Sequence, residues 1–157
     1  MIHVRTATRE DWPAVASLLA ELGRPDVRGT PDEDKARLLF LAYLERPDAV
    51  ALVAEDQGRV IGFCDMEFRS WLNFTRPEAW IPDLIVTDGA RSRGAGHALL
   101  ARAEELARER NCRGMSLESA NWRTRAHAFY AREGWADVAH EFFKNLMEEP
   151  WPPPPRP

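Results

Sequence analysis

The sequence is short of the features that mark several large protein classes. It has two cysteines, Cys64 and Cys112, and neither stands in a CxxC pair, so a disulfide framework is excluded. No apolar run approaches the roughly 18 residues that a membrane-spanning helix needs. The first ten residues mix Arg, Thr and Glu and form no secretory apolar region. His3, His97, His127 and His140 lie scattered, without metal-ligand spacing, so no metal site is expected. There is no internal repeat and no linker that would divide the chain. An excess of positive charge is also missing: the net charge is −4, which argues against nucleic acid as the main partner. These absences leave a reduced, cytoplasmic protein with no membrane in its expected chemistry.

What is present fits one α/β domain. The chain has 157 residues, of which 45% are hydrophobic. Charge is unevenly spread: residues 1–87 carry a balance of −5, residues 88–132 of +4, and residues 133–157 of −3. A basic middle within an acidic chain suggests an anionic ligand there and a cationic one elsewhere.

Apolar periodicity supplies the elements. Ile2, Val4 and Thr6 alternate as a strand, and Thr8 to Asp11 opens a helix with the stripe Val15, Leu18, Leu19 and Leu22, closed by Gly23. Thr30-Pro31-Asp32-Glu33 reads as the start of a second helix, with Thr30 as its cap. Ala49–Glu55 and Val60–Arg69 read as a hairpin around Asp56 to Arg59, with Asp65, Glu67 and Arg69 on one face of the second strand. Trp80–Thr87 is expected as a strand, Ala95 to about Arg110 as a helix, Gly114–Ser119 as a strand and Thr124–Arg132 as a helix ended by Gly134. Trp135–Val138 and Glu141–Leu146 are expected to close the sheet. The domain is placed at residues 1–147, and the proline-rich tail 148–157 is expected to be flexible.

The segment richest in chemistry is strand, Arg91-Ser92-Arg93-Gly94-Ala95-Gly96, helix. A helix N-terminus presents backbone N–H groups and partial positive charge, glycines allow close approach, and arginines add charge-assisted hydrogen bonds. The segment is therefore suited to phosphate. It does not fit a P-loop, which needs Lys and a hydroxyl after the last glycine. It also fails the Rossmann fingerprint, because Leu99 stands where a small residue is required.

The pattern that fits is RxxGxG, as Arg91, Gly94 and Gly96. Together with the opening Ile2–Asp11, the strand Ile81–Val86, and Ala126-His-Ala-Phe-Tyr130-Ala-Arg-Glu-Gly134-Trp135, it makes the chain resemble the GCN5-related N-acetyltransferase (GNAT) family over nearly its whole length. The resemblance implies an α/β fold with a mixed central sheet flanked by helices, whose strands splay around an acetyl-CoA site. It implies that the backbone of Leu84, Ile85 and Val86 pairs with the pantetheine arm, and that the N–H groups from Arg91 through Gly96, including Ser92, Arg93 and Ala95, hold the pyrophosphate. Tyr130 takes the position of the acid that reprotonates the departing thiolate, a role that suits a phenol of ordinary pKa near 10.

Two positions depart from the family pattern. Many relatives carry Glu where this chain has Pro82, so the base is sought among Asp83, Glu67, Glu118 or a water. Asn is usual seven residues before Tyr130, where Arg123 stands; Asn121 and Arg123 are retained as cofactor-binding candidates. The implied activity is direct acetyl transfer from acetyl-CoA to the amine of a small molecule, with a cationic acceptor drawn by Asp65, Glu67 and Asp83 and walled by Trp71, Phe74 and Trp80. The acceptor site is expected between the first two helices, the Ser70–Glu78 loop and the Phe142–Phe143 region. A peptide N-acetyltransferase and a catalytically silent CoA-binding module are the alternatives, and a homodimer is compatible with either.

Overall fold

The computed structural model describes residues 1–91 and 93–148. Ser92 and residues 149–157 of the proline-rich tail lie outside them, and the described residues fall into two compact units that divide between Leu117 and Glu118.

The first unit holds β1 (Ile2–Thr6), α1 (Trp12–Leu22), α2 (Glu33–Leu44), β2 (Ala49–Asp56), β3 (Arg59–Arg69), β4 (Glu78–Ile81), β5 (Leu84–Val86), α3 (Ala95–Glu109) and β6 (Gly114–Leu117). The sheet runs β1-β2-β3-β4-β6, with β5 also on β3. All pairings are antiparallel except β4 with β6. The β2–β3 hairpin turns on Gln57 and Gly58, both at positive φ (51° and 74°), the turn whose twist matches that of the strands. α2 begins at Glu33, two residues later than a Thr30 cap implies, and the turn before it is closed by Glu33 accepting the Gly29 N–H at 2.7 Å and Thr30 Oγ1 accepting that of Asp32.

β3 carries the sheet. Its end pairs with β4, Glu67 opposite Trp80 and Arg69 opposite Glu78, and its earlier part pairs with β5, Gly62 opposite Val86 and Cys64 opposite Leu84. Between these stretches Asp65 and Met66 face Ile81, Pro82 and Asp83, one residue too many for a regular ladder, which makes a β-bulge. The expected single strand Trp80–Thr87 is therefore two. Pro82 has no N–H to give a ladder. The Asp83 N–H donates to Asp65 Oδ1 at 2.8 Å, and the Asp83 carbonyl accepts the Asp65 N–H at 3.1 Å.

β6 pairs with β4 from Gly114 beside Glu78 to Leu117 beside Ile81, and it ends level with the bulge. β5 thus has β3 on one edge and, among the described residues, no strand on the other. This is the splayed sheet that the sequence led us to expect.

The two faces of the sheet have separate cores. Ala51, Val53, Phe63 and Ile85 pack with Trp12, Val15, Leu18 and Phe40 of α1 and α2. On the opposite face lies α3, with Leu99 and Ala103 fully buried. Gly62 lets α3 come close: a Cβ there would stand 3.1 Å from Leu99 Cδ1 and 3.2 Å from the Ile85 carbonyl oxygen.

In the second unit α4 (Thr124–Arg132) is the one regular element among the described residues. The expected strands Trp135–Val138 and Glu141–Leu146 are not formed there. Alternation of side chains is in place, but a strand also needs a neighbouring edge for its backbone. Phe142 and Leu146 are instead 94% and 87% exposed. Among the described residues no helix is long and apolar enough to cross a membrane, and both cysteines are free thiols.

Gly62→Ala is expected to destabilise the protein by about 1–3 kcal/mol through overpacking between β3, β5 and α3. Urea unfolding of the two proteins measures it.

Candidate active site

The bulge fixes a short strand with one open edge. Asp83 and Thr87 direct their backbone groups to β3, through Asp83 O to Asp65 N–H and Thr87 N–H to Ile61 O at 2.9 Å. Strand alternation then points the groups of Ile85 to β3 and those of Leu84 and Val86 outward. Of the three residues expected to pair with a pantetheine arm, Leu84 and Val86 carry the edge-facing groups, and Ile85 anchors the strand in the core. The Val86 carbonyl accepts from Arg91 Nε at 3.3 Å.

α1 clamps both ends of β5. Its last turn carries Glu21, which accepts from Thr87 Oγ1 at 3.0 Å and from the Asp83-distal end of the strand at the Asp88 N–H, 3.4 Å. Gly23 then stops the helix at φ 100°, with Arg24 N–H bonded to Leu19 O and Gly23 N–H to Ala20 O, a Schellman stop. The reversal delivers Arg24 to the other end, where Nε donates to Asp83 Oδ1 at 2.8 Å and the guanidinium reaches the Pro82 carbonyl.

Beyond β5 the chain reaches the glycine-arginine loop. Gly94 caps α3 at φ 87°, a backbone conformation that side-chain-bearing residues adopt only with strain. The first α3 hydrogen bond runs from Ala98 N–H to the Gly94 carbonyl, so Ala95 and Gly96 sit in the first turn, where N–H groups lack intrahelical partners. Arg91 is exposed and paired with Asp88 at 2.6 Å, and Arg93 with Asp56 at 3.5 Å. Such exposed pairs are weak and exchange readily for an anionic ligand.

Acidic groups gather on the α1–α2 face of the bulge. Glu67 is held by Arg46 through both oxygens, at 3.1 and 3.3 Å, and Asp83 by Arg24. Asp65 is buried, 9% exposed, with no guanidinium of the described residues paired to it. Burial first, and the neighbouring Asp83 charge second, push its carboxyl from 3.8 to about 8. Tyr43 of α2 has a buried hydroxyl without a hydrogen-bond partner among the described residues; burial, then the Asp65 charge, push its pKa far up. Trp80 lies opposite Glu67 on this face with Arg69 stacked 4.2 Å from its ring centroid. Trp71 and Phe74, expected as an aromatic wall, grip Arg113 instead, at 5.9 and 4.2 Å.

In the second unit Gly134, at φ 86°, ends α4 in another Schellman stop, with Trp135 N–H bonded to Tyr130 O and Gly134 N–H to Ala131 O. The Tyr130 ring lies between Phe129 and Trp135, with centroids 5.4 and 6.0 Å away. Arg123 caps the start of α4 and stacks on Trp122 at 4.5 Å, and Asn121 is exposed in the preceding turn.

The Acetyltransferase (GNAT) family profile matches residues 12–135, across both units. The chain belongs to this family. As a GNAT acetyltransferase it is an acyltransferase, and its relatives include the aminoalkylphosphonate N-acetyltransferase of Salmonella typhimurium, 32% identical over 92% of this chain and 91% of that protein. The uncharacterised N-acetyltransferase YhfO of Bacillus subtilis is 28% identical over 87% of this chain and 91% of its own length. Among solved structures, AAC(6')-Iy in complex with the bisubstrate analogue CoA-S-monomethyl-acetylneamine superposes with a TM-score of 0.78 at 20% identity, covering 94% of this chain and 99% of that one, a likeness of fold.

In this GNAT chain the first unit brings together Glu67, Asp83, Leu84, Ile85 and Val86, and it sets Arg91, Arg93, Gly94, Ala95 and Gly96 just beyond them. Sequence reasoning missed Glu21, Arg24 and Tyr43. Periodicity reports which face of a helix is apolar, whereas these three act from helix ends and edges across more than 20 residues of chain. No group of His, Cys, Asp and Glu among the described residues is arranged to hold a metal ion.

Asp65→Asn is expected to stabilise the protein in a pH-dependent way. The folded chain keeps the Asp65 proton up to about pH 8, against 3.8 ordinarily, so the native state binds more protons between these values. Stability therefore falls as pH rises through that window, and the loss is complete above it. The melting temperature of the Asn variant should match the wild type near pH 4 and exceed it increasingly up to about pH 8, read by differential scanning fluorimetry.

Proposed function

We propose that this GNAT acetyltransferase moves the acetyl group of acetyl-CoA directly to the amine of a small cationic molecule. The observation that carries the reading is the three-residue strand β5, clamped at both ends by α1, with one free edge beside a set of carboxylates. An extended amide-bearing ligand adds to a fixed strand edge at little ordering cost, and an acidic surround draws an ammonium. Leu84 and Val86 would supply the edge-facing hydrogen bonds. The N–H groups of the Arg91–Gly96 loop, with Arg91 and Arg93, would hold the pyrophosphate, and Asn121 and Arg123 would help retain the cofactor. Bound acetyl-CoA supplies the acetyl group as a thioester.

Tyr130 serves in this reading as the acid for the departing thiolate, and Glu67 and Asp83 act on the acceptor's ammonium. The catalytic domain is residues 1–147, working in the cytoplasm. The Salmonella relative's name specifies an aminoalkylphosphonate and that of the superposed structure an aminoglycoside analogue, so small amines bearing further charge or polar groups are the acceptors of choice.

Calorimetric titration with acetyl-CoA, using 3′-dephospho-CoA and ATP as controls, tests the cofactor. Thiol release with 2-aminoethylphosphonate, neamine, a polyamine and a peptide then tests the acceptor. Binding without release for any amine would favour a silent CoA-binding module, and release with the peptide alone a protein-modifying enzyme. Gly94→Glu should weaken acetyl-CoA binding by about 100-fold or more, through backbone strain and charge repulsion at the loop. Tyr130→Phe should lower kcat by about 100-fold, within the range of a lost general acid, and leave acetyl-CoA affinity within twofold.

A further inference from the structure

We propose that Asp65 is the base that takes the proton from the acceptor's ammonium, the task for which Pro82 offers no side chain. The proposal rests on the acetyltransferase reading above and adds a residue to it.

The geometry singles out Asp65 in three ways. First, it stands on β3 directly opposite the bulge, where β4 and β5 part, and both its N–H and its carboxylate are bonded to the backbone of Asp83 at 3.1 and 2.8 Å. The carboxyl is thereby fixed at the break between β4 and β5, beside the residue that precedes β5. Second, the charges around it are already matched. Glu67 is held by Arg46, Asp83 by Arg24, and Glu78 by Arg113 at 2.7 Å. The other buried carboxylate, Asp11, has Arg5 on both oxygens at 2.7 and 2.9 Å. Asp65 is the buried carboxylate without a cation among the described residues. Third, Tyr43 of α2 brings a buried hydroxyl with its hydrogen-bonding capacity unused to the same carboxylate's surroundings. Ionising a buried carboxyl that lacks a cation is costly, as is a buried hydroxyl lacking a bond, and one entering ammonium relieves both.

The groups acting on Asp65 are Tyr43 from α2, Cys64 and Glu67 from β3, and Asp83 from the bulge, with Arg46 and Arg24 engaged by Glu67 and Asp83. Burial and the Asp83 charge bring the carboxyl to about 8, so it both takes up and gives back a proton near neutral pH. An ammonium beside it favours the ionised form on arrival. After transfer, the neutral amine and carboxylic acid are the pair that the buried surroundings favour.

An N–H bond of the ammonium breaks, its proton passes to Asp65 Oδ2, and the electron pair stays on nitrogen. That pair forms the new N–C bond to the thioester carbon, and the C–S bond breaks with its electrons going to sulfur, which takes the proton of the Tyr130 hydroxyl in the role proposed above; the second N–H proton passes through water to restore that hydroxyl. Asp65 then returns its proton to water. Asp65 Oδ1, occupied by the Asp83 N–H, keeps the carboxyl oriented throughout.

Asn at this position preserves the bond from the Asp83 N–H and removes only the proton site, so it separates chemistry from structure. With acetyl-CoA and either 2-aminoethylphosphonate or neamine, wild-type kcat should rise with pH and level off near pH 8. In Asp65→Asn it should be about 100-fold lower at pH 7.5, the scale of a lost general base, and keep rising to pH 10 without the plateau. Acetyl-CoA affinity should stay within twofold. A variant that keeps the plateau, at full or uniformly reduced rate, overturns the proposal. The second measurement needs no turnover. In the full-length protein, the Asp65 carboxyl resonance, assigned by its loss in Asp65→Asn, is titrated by 13C NMR, and either amine at saturation should lower its midpoint by at least half a pH unit. A midpoint that neither amine moves overturns the proposal. A shifted midpoint with no thiol release supports the ammonium contact at Asp65 and instead defeats the acetyltransferase reading.

Discussion

Two hydrogen bonds between Asp65 and the backbone of Asp83 hold the sheet in the form on which the rest of the molecule depends. They replace the ladder bonds that Pro82 makes impossible, and they absorb the extra residue that separates β4 from β5. Each is a bond between neutral groups, worth about 0.5–1.5 kcal/mol net, and leaving a buried partner without its bond would cost about 1–3 kcal/mol. The break therefore survives in the middle of a sheet, where a simple gap would leave polar groups unsatisfied. Because β6 follows β4 and not β5, the same break leaves an edge of β5 that no strand of the described residues covers.

An uncovered edge is ordinarily a liability, since it offers unpaired groups to any passing strand. Here the edge is three residues long and rigidly held. Glu21 and Arg24 lie on either side of the Gly23 stop, so one helix terminus fixes both ends of β5. Ile85 is sunk among the α1 and α2 core residues. Length limits the hazard of the edge, and rigidity keeps it ready for a ligand.

Much of this was legible in the sequence because most of the fold is periodic. The alternation in Val60–Arg69, the stripe of α1 and the stops at Gly23 and Gly134 are local patterns, and the structure agrees with them. The loop Arg91–Gly96 was legible for a different reason: glycine at positive φ ahead of an apolar helix is a local demand of the backbone. The split of Trp80–Thr87 was not legible as a split, although its cause, Pro82, was in plain view. A proline marks a weak point in a strand, but whether the chain bulges or ends there depends on the residues opposite, and Asp65 comes 17 positions earlier. The strands expected at 135–138 and 141–146 show the converse. Alternation fixes which side chains share a face, whereas strand formation needs a partner edge that no local pattern reports. The aromatic wall failed for a similar reason: Trp71 and Phe74 face Arg113, a residue some 40 positions away, whose cation holds both rings.

Arginine explains why the site carboxylates are not equivalent. In sequence, Asp65, Glu67 and Asp83 are three acids of one face. In the fold, Arg46 and Arg24 neutralise two of them at the rim, and the third is left inside without a counter-ion among the described residues. A carboxylate so placed destabilises the folded chain at the pH where it is ionised, and evolution has cheaper residues for filling a sheet interior. The two bonds to Asp83 do not require the charge, because an amide oxygen in the same place would accept the Asp83 N–H equally well. What an amide lacks is the ability to bind and release a proton. The ionisable group at this position is thus costly to the fold and dispensable to the bulge, and the proton transfer proposed for it at the break before β5 is the use that accounts for it.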